Sequence, residues 1–262
     1  MTAPIPRDIP DLPAIPRTHA LLSSSVPASA VVPPVRRRLA AAFRLLLAGT
    51  AAAGVILALL ANGDPLRTLS HFSLQSNALL ALVALASARR AWSARAPLPS
   101  ALTGAALLYI TITGLVYHLL LADTAPPFSV TDTTTAPTGW AWPANLLLHT
   151  VTPAAAVLDW LLLTPPARLR LRQAVTWMLY PTAYLLFSLL RAQLITPGTP
   201  ARYLYPFLDA EAHGFRHTLA NALLLGLAFY ALAVLLVALD HVRPNPIRHR
   251  AKTGFRLQPP VG

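Results

Sequence analysis

Apolar residues along this chain fall into six blocks of roughly twenty, separated by short polar or basic stretches. The blocks run over 39–62, 72–88, 101–121, 143–163, 174–194 and 215–239. A helix of about twenty apolar residues spans a hydrocarbon layer of about 30 Å. Backbone groups in lipid must be satisfied within the segment, so a helix is the element these blocks predict. The expected fold class is therefore all-α, a polytopic membrane protein built as a six-transmembrane-helix bundle. Residues 1–38 form a basic, proline-rich disordered tail with eight prolines, and 240–262 form a second basic tail. The membrane domain lies between them, over 39–239.

Composition strengthens this picture. Of 262 residues, 55% are hydrophobic and only 11% charged, with a mean hydropathy of +0.54. Soluble domains carry about 25% charged residues. There is no cysteine, which excludes disulfides, thiolate metal sites, iron–sulfur clusters and covalently attached haem. No metal and no cofactor is expected. The formal charge of +12 could suggest a nucleic-acid partner, but the basic residues lie in tails and short loops beside apolar blocks. That placement belongs to membrane topology, so the expected partners are membrane lipids and no nucleic acid.

Lysine and arginine counts set the orientation. The two tails and the loops after the second and fourth blocks hold sixteen. The loops after the first and fifth hold only Arg67 and Arg202. Both termini are therefore expected in the cytoplasm of a multi-pass plasma-membrane protein. Trp140, Trp142, Tyr203, Tyr205 and Phe207 suit the opposite membrane–water interface.

Polar side chains inside the blocks are costly in lipid and cluster at one depth, toward the outer face. His71, Ser73, Gln75, Ser76 and Asn77 open the second block. Tyr117 and His118 close the third, while Asn145 and His149 open the fourth. Tyr180, Tyr184, Ser188 and Arg191 form a stripe on the fifth, and His213, Arg216, His217 and Asn221 open the sixth. Residues four apart share a helical face, so such stripes predict a polar pocket facing the bundle interior. Interhelical hydrogen bonding is the plainer use of the amides. Arg44 is expected to snorkel to the inner surface. Asp159, ten residues beyond His149, is about 15 Å along the helix and is expected to act structurally. Pro153 and Pro181 predict kinks.

A hydroxyl nucleophile needs a base, usually histidine near neutral pH. Ser73 and His149 are the candidate catalytic pair. Gln75, Asn77, His118, Tyr184, Arg191, Arg216 and His217 are candidate substrate-binding residues, with donors for a developing oxyanion and cations for a carboxylate. The reaction class would be acyl transfer to water. A haem-binding redox protein using His118, His149 or His217 is one rival. It would want a second histidine pair near the inner face, which the helices lack. A transporter or channel is another, and would carry polar groups at several depths. A structural membrane protein without chemistry is the third.

The segment His71-Phe-Ser-Leu-Gln-Ser-Asn77 resembles the Phe-Thr-x-Gln-Ser-Asn signature of a bacterial six-span family, the "Pr-six-Pr" membrane proteins. Asn145-Leu-Leu-Leu-His149-Thr150, Tyr180-Pro-Thr-Ala-Tyr184 with Arg191, and Tyr205-Pro-Phe-Leu-Asp209 resemble its later motifs. The likeness extends over about 40–240. That family is in turn similar to animal androgen-induced and androgen-dependent membrane proteins, hydrolases of fatty acid esters of hydroxy fatty acids with a threonine nucleophile and a histidine. The resemblance implies a fatty acyl ester substrate, and places the nucleophile at Ser73 and its partner at His149. Serine stands here where that signature has threonine.

Overall fold

The computed structural model describes residues 36–122, 139–199 and 202–245. The expected disordered tails and the threonine-rich loop fall mostly outside these residues. Among the described residues every regular element is helical.

The chain enters at α1 (Arg38–Ala61), turns through the short α2 (Pro65–Leu69) and returns along α3 (Phe72–Trp92). Then come α4 (Ser100–Leu121) and α5 (Ala141–Leu163). The pair α6 (Leu171–Trp177) and α7 (Leu179–Leu194) follows, then α8 (Ala210–His213) and the long α9 (Phe215–Val242). Four helices, α1, α4, α5 and α9, are long and apolar enough to cross a membrane. They are compatible with an integral membrane protein. Leucines point outward along them, among them Leu46 and Leu60 on α1 and Leu223, Leu224 and Leu227 on α9. In water such a surface would be a liability, whereas in lipid it is the ordinary solvent-facing side. The α1, α3, α4 and α5 helices pack on one another, and α6 and α9 close against α4.

Two prolines shape the interior. Pro181 has no N–H to give the carbonyl four residues back, and the helix breaks at Met178, dividing the fifth expected block into α6 and α7. The freed carbonyl is that of Trp177. The Tyr109 hydroxyl of α4 donates to it at 2.9 Å. Pro153 acts on α5 in a different way. The turn before it, Leu147–Val151, widens to a π-helical register, with the Thr152 N–H reaching back to the Leu147 carbonyl. In that five-residue step the Leu148 carbonyl would pair with residue 153, which is proline. The Asn77 side-chain amide fills the vacancy, donating to Leu148 O at 3.1 Å. Two glycines make room for the wider turn. A Cβ on Gly54 of α1 would meet Leu148 at 3.0 Å, and one on Gly114 of α4 would meet Pro153 at 3.0 Å.

The end of the bundle where α1 begins is tied by charge. Arg44 is buried and donates from Nε to Asp159 at 2.9 Å, with Nη2 on Thr164. The expected snorkelling of Arg44 is corrected here, because the carboxylate lies within reach on the facing helix. The sixth helix runs on to Val242, past the expected end at 239, and carries Asp240 into the packed interior. Asp240 is 1% exposed. It accepts from Trp160 Nε1 at 3.0 Å and from the Arg168 and Leu169 N–H groups at 2.7 and 2.9 Å. Arg243 pairs with it at 2.8 Å, donates to four carbonyls between Trp160 and Pro165, and stacks over the Trp160 ring.

Removing one partner of a buried ion pair strands the other and costs about 3–5 kcal/mol. Asp240→Asn is therefore expected to destabilise the bundle by that order, read as a lowered thermal unfolding midpoint of the detergent-purified chain. Arg172→Gln, at an exposed position on the same end, should leave the midpoint in place.

Candidate functional site

At the opposite end, the corner between α2 and α3 supplies the first part of a buried polar cluster. Asp64 caps α2 by accepting from Arg67 N, and Pro65 follows at the first helical position. The chain then turns at Ser70 and His71 into α3. No side chain of the chain's own segment caps α3. The cap comes instead from two tyrosines distant in sequence. The Phe72 N–H donates to the hydroxyls of both Tyr184 and Tyr205, each at 3.1 Å. Tyr184 passes its own proton to Ser70 O at 2.9 Å. The Ser73 N–H and hydroxyl also lie against the Tyr205 oxygen. Burial pushes the Tyr205 hydroxyl up to about 12, against the lowering effect of its hydrogen bonds.

His149 lies in the widened turn of α5, 3% exposed. Its ring stacks on Tyr117 at 4.4 Å between centroids. Its Nδ1 sits 3.2 Å from Asn145 O. A carbonyl only accepts, so Nδ1 carries the hydrogen and Nε2 carries the lone pair. The Asn145 amide in turn donates to the Tyr117 hydroxyl, which fixes the stacking partner. Thus α4 and α5 fix the orientation of the imidazole, through Nδ1 and through the stacked ring.

Asn77, fully buried, joins the two halves. Its Nδ2 donates to Ser73 O at 2.9 Å and to Leu148 O at 3.1 Å, so one amide bridges the turn bearing the serine and the turn bearing the histidine. Ser73 and His149 are both buried and linked in this way, but they do not hydrogen-bond each other. Around the bridge, Asn77 Oδ1, Ser76 Oγ and Thr152 Oγ1 are buried with no hydrogen-bond partner among the described residues.

The other expected substrate contacts divide into three groups. Gln75 is occupied structurally, donating to Leu69 O at 3.0 Å and accepting from Tyr180 at 2.7 Å. Tyr184 is occupied by the cap. Arg191 is half-buried and donates to Arg202 O at 3.1 Å, tying α7 to the loop before α8. His118, Arg216 and His217 are exposed. His118 meets Thr150 at 3.0 Å and packs edge-on against Tyr117 at 5.0 Å between ring centroids, so it borders the His149 group. The buried polar cluster therefore draws on α3, α4, α5 and α7, while Arg216 and His217 at the start of α9 are exposed.

Tyr205 and Arg202 are the residues that sequence reasoning misplaced or passed over. Tyr203 and Tyr205 were expected at the interface, yet both are buried. The loop folds inward because Arg202 reaches Ala192 O at 2.6 Å and pairs with Glu211. Trp140 and Trp142 remain exposed, as an interfacial belt requires.

His71 is sealed behind this corner. Its Nδ1 faces Arg67 O at 3.0 Å and Thr68 O at 3.2 Å. Burial lowers its pKa to about 4, reinforced by Arg67 and Arg191 nearby. The unfolded side chain titrates near 6.5, so the unfolded state binds the proton first. The stability owed to neutral His71 is fully present above about pH 6.5 and is lost as the pH falls toward 4. Thermal unfolding between pH 7.5 and 4.5 should show a falling midpoint, and His71→Asn should flatten part of that slope.

No family model, curated protein or solved structure matches the chain.

Proposed function

We propose that the protein is a six-span integral membrane protein of the plasma membrane. Its termini are cytoplasmic, and it hydrolyses fatty acyl esters with Ser73 as nucleophile and His149 as base. The α3 helix and the α6–α7 pair complete the six crossings begun by the four most apolar helices. A cysteine-free chain makes this topology directly testable. Arg95→Cys should react with an impermeant maleimide only after the cells are opened, and Arg67→Cys should react on intact cells. The reverse pattern inverts the orientation.

The observation that carries the chemical reading is the state of His149. Its Nδ1–H is engaged by Asn145 O, its ring is stacked on Tyr117, and the Asn77 amide ties its turn to the turn of Ser73. In the proposed reaction Nε2 takes the Ser73 proton as Oγ attacks the ester carbonyl. The acyl group transfers to Ser73, and the alcohol leaves with the proton from His149. Water then releases the fatty acid by the same steps. The oxyanion needs a donor near Ser73. The Asn77 and Gln75 amides are committed to backbone carbonyls. Tyr205 is the group whose hydroxyl lies against Ser73, and it takes that role. The family resemblance of 71–77 and 145–150 supports the same pair independently of geometry.

A non-catalytic membrane protein is the second reading. The commitment of Gln75, Asn77 and Tyr184 to backbone groups favours it, since that is how polar side chains hold membrane helices together.

Turnover of long-chain esters by the purified chain separates the two readings. Ser73→Ala and His149→Ala should each lower it by about 100- to 10,000-fold, and a fluorophosphonate probe should label wild type but not Ser73→Ala. Retained activity in both variants, or no turnover and no labelling in wild type, leaves the structural reading.

A further inference from the structure

The charge at the basic end does not balance. Four guanidinium groups, those of Arg37, Arg44, Arg168 and Arg243, share two carboxylates among the described residues, Asp159 and Asp240. Asp240 is filled by Arg243, Trp160 and two backbone N–H groups. Asp159 is held by Arg44 with both oxygens. Arg37 and Arg168 are left with backbone carbonyls, of Leu163 and Leu98 respectively. A carbonyl takes one N–H of a guanidinium but none of its charge, and each group offers five N–H donors. Both side chains are half-buried and feel Arg44 as a like charge. Burial, then that repulsion, lowers the pKa of each, outweighing the opposing pull of Asp159 on Arg37 and of Asp240 on Arg168.

Two further features meet at the same place. The α1 helix starts beside Arg37 with no side-chain cap and no acidic residue in its first turn. Its dipole therefore favours an anion there. Large apolar side chains stand exposed on the same rim, at Leu39, Trp92 and Leu171. The backbone joins these pieces, since Arg37 N–H donates to Ala91 O at the end of α3 at 3.0 Å.

We infer that Arg37 and Arg168 form a binding site for the phosphate of an anionic phospholipid, whose acyl chains lie along the exposed apolar rim of α1, α3 and α6. The phosphate supplies the missing negative charge and accepts the spare guanidinium N–H groups in a planar, two-bond fit that arginine favours. The attached chains match the apolar neighbours, which a free anion would leave bare. This site lies at the end of the bundle away from Ser73 and His149 and does not depend on the hydrolase reading.

The test is native mass spectrometry of the full chain in detergent. It is mixed with equal amounts of phosphatidylglycerol and phosphatidylcholine of matched acyl chains. Wild type should retain phosphatidylglycerol in preference. Each arginine at a charged membrane surface is worth roughly a fivefold change, so Arg37→Gln or Arg168→Gln should reduce the preference about fivefold. Arg37→Lys should keep most of it, which separates loss of charge from loss of fold. Arg172→Gln, exposed at the same end, should leave the ratio unchanged. Equal retention of the two lipids by wild type, or an equal loss in Arg172→Gln, overturns the site. Displacement of phosphatidylglycerol by millimolar inorganic phosphate overturns the lipid assignment in favour of a free anion.

Discussion

Pro153 removes a backbone donor from the middle of an apolar helix, where no water stands ready to replace it. Every buried carbonyl in such a helix must find a partner, because an unmet one costs on the order of 1–3 kcal/mol. The α5 helix answers by widening the preceding turn, and the carbonyl that still has no backbone partner, that of Leu148, is met by Asn77 from α3. One missing N–H thus determines that α3 and α5 are joined by a side chain at this level. It also determines that His149 lies in a wide turn whose ring is stacked on Tyr117. Gly54 and Gly114 are the neighbours that let the wider turn fit.

The same logic recurs at Pro181, with a different solution. There the helix breaks, and the Tyr109 hydroxyl takes the place of the missing donor on Trp177 O. Pro181 begins α7 in the register that sends Tyr180 to Gln75 and Tyr184 to the α3 cap. Each proline therefore converts a local backbone defect into a long-range side-chain contact, one joining α4 to α6 and the other joining α3 to α5. Wide turns of this kind recur at functional sites in helices. Here the one at 147–151 carries the single histidine of α5.

The helical class and the most apolar helices were legible in the sequence, because twenty-residue apolar blocks have one economical structure in lipid. So was the level at which Ser73, Asn77, Asn145 and His149 gather, since depth follows from residue count along a helix. Which of them touch was not legible. Helical stripes treat a helix as uniform, and the wide turn at 147–151 shifts every side chain after it. The same approximation grouped Arg216 and His217 with the cluster, although α9 turns that face outward. Tyr205 could not be placed because an interfacial tyrosine and a buried one share the same sequence context until Arg202 and Glu211 are seen to fold the loop inward. Asp240 was assigned to a tail by its charge alone. A carboxylate beside an apolar block ends the block by hydropathy, yet it can continue the helix when a cation three residues on accompanies it inside.

The two ends of the bundle satisfy buried polarity in opposite currencies. Around Ser73 the partners are neutral: phenols, amides, carbonyls and an imidazole held by a backbone oxygen. Around Asp240 they are ions. Neutral hydrogen bonds can be exchanged at a cost of about 1 kcal/mol each. Buried ion pairs cannot be opened so cheaply, which suits an anchor. In α5 both regimes occur on one helix, with His149 at one level and Asp159, ten residues on, at the other. The stretch between them is alanine-rich and apolar, with Ala156 in the core against α1, α3 and α4. That apolar layer separates His149 from the charged knot, although both lie on one helix.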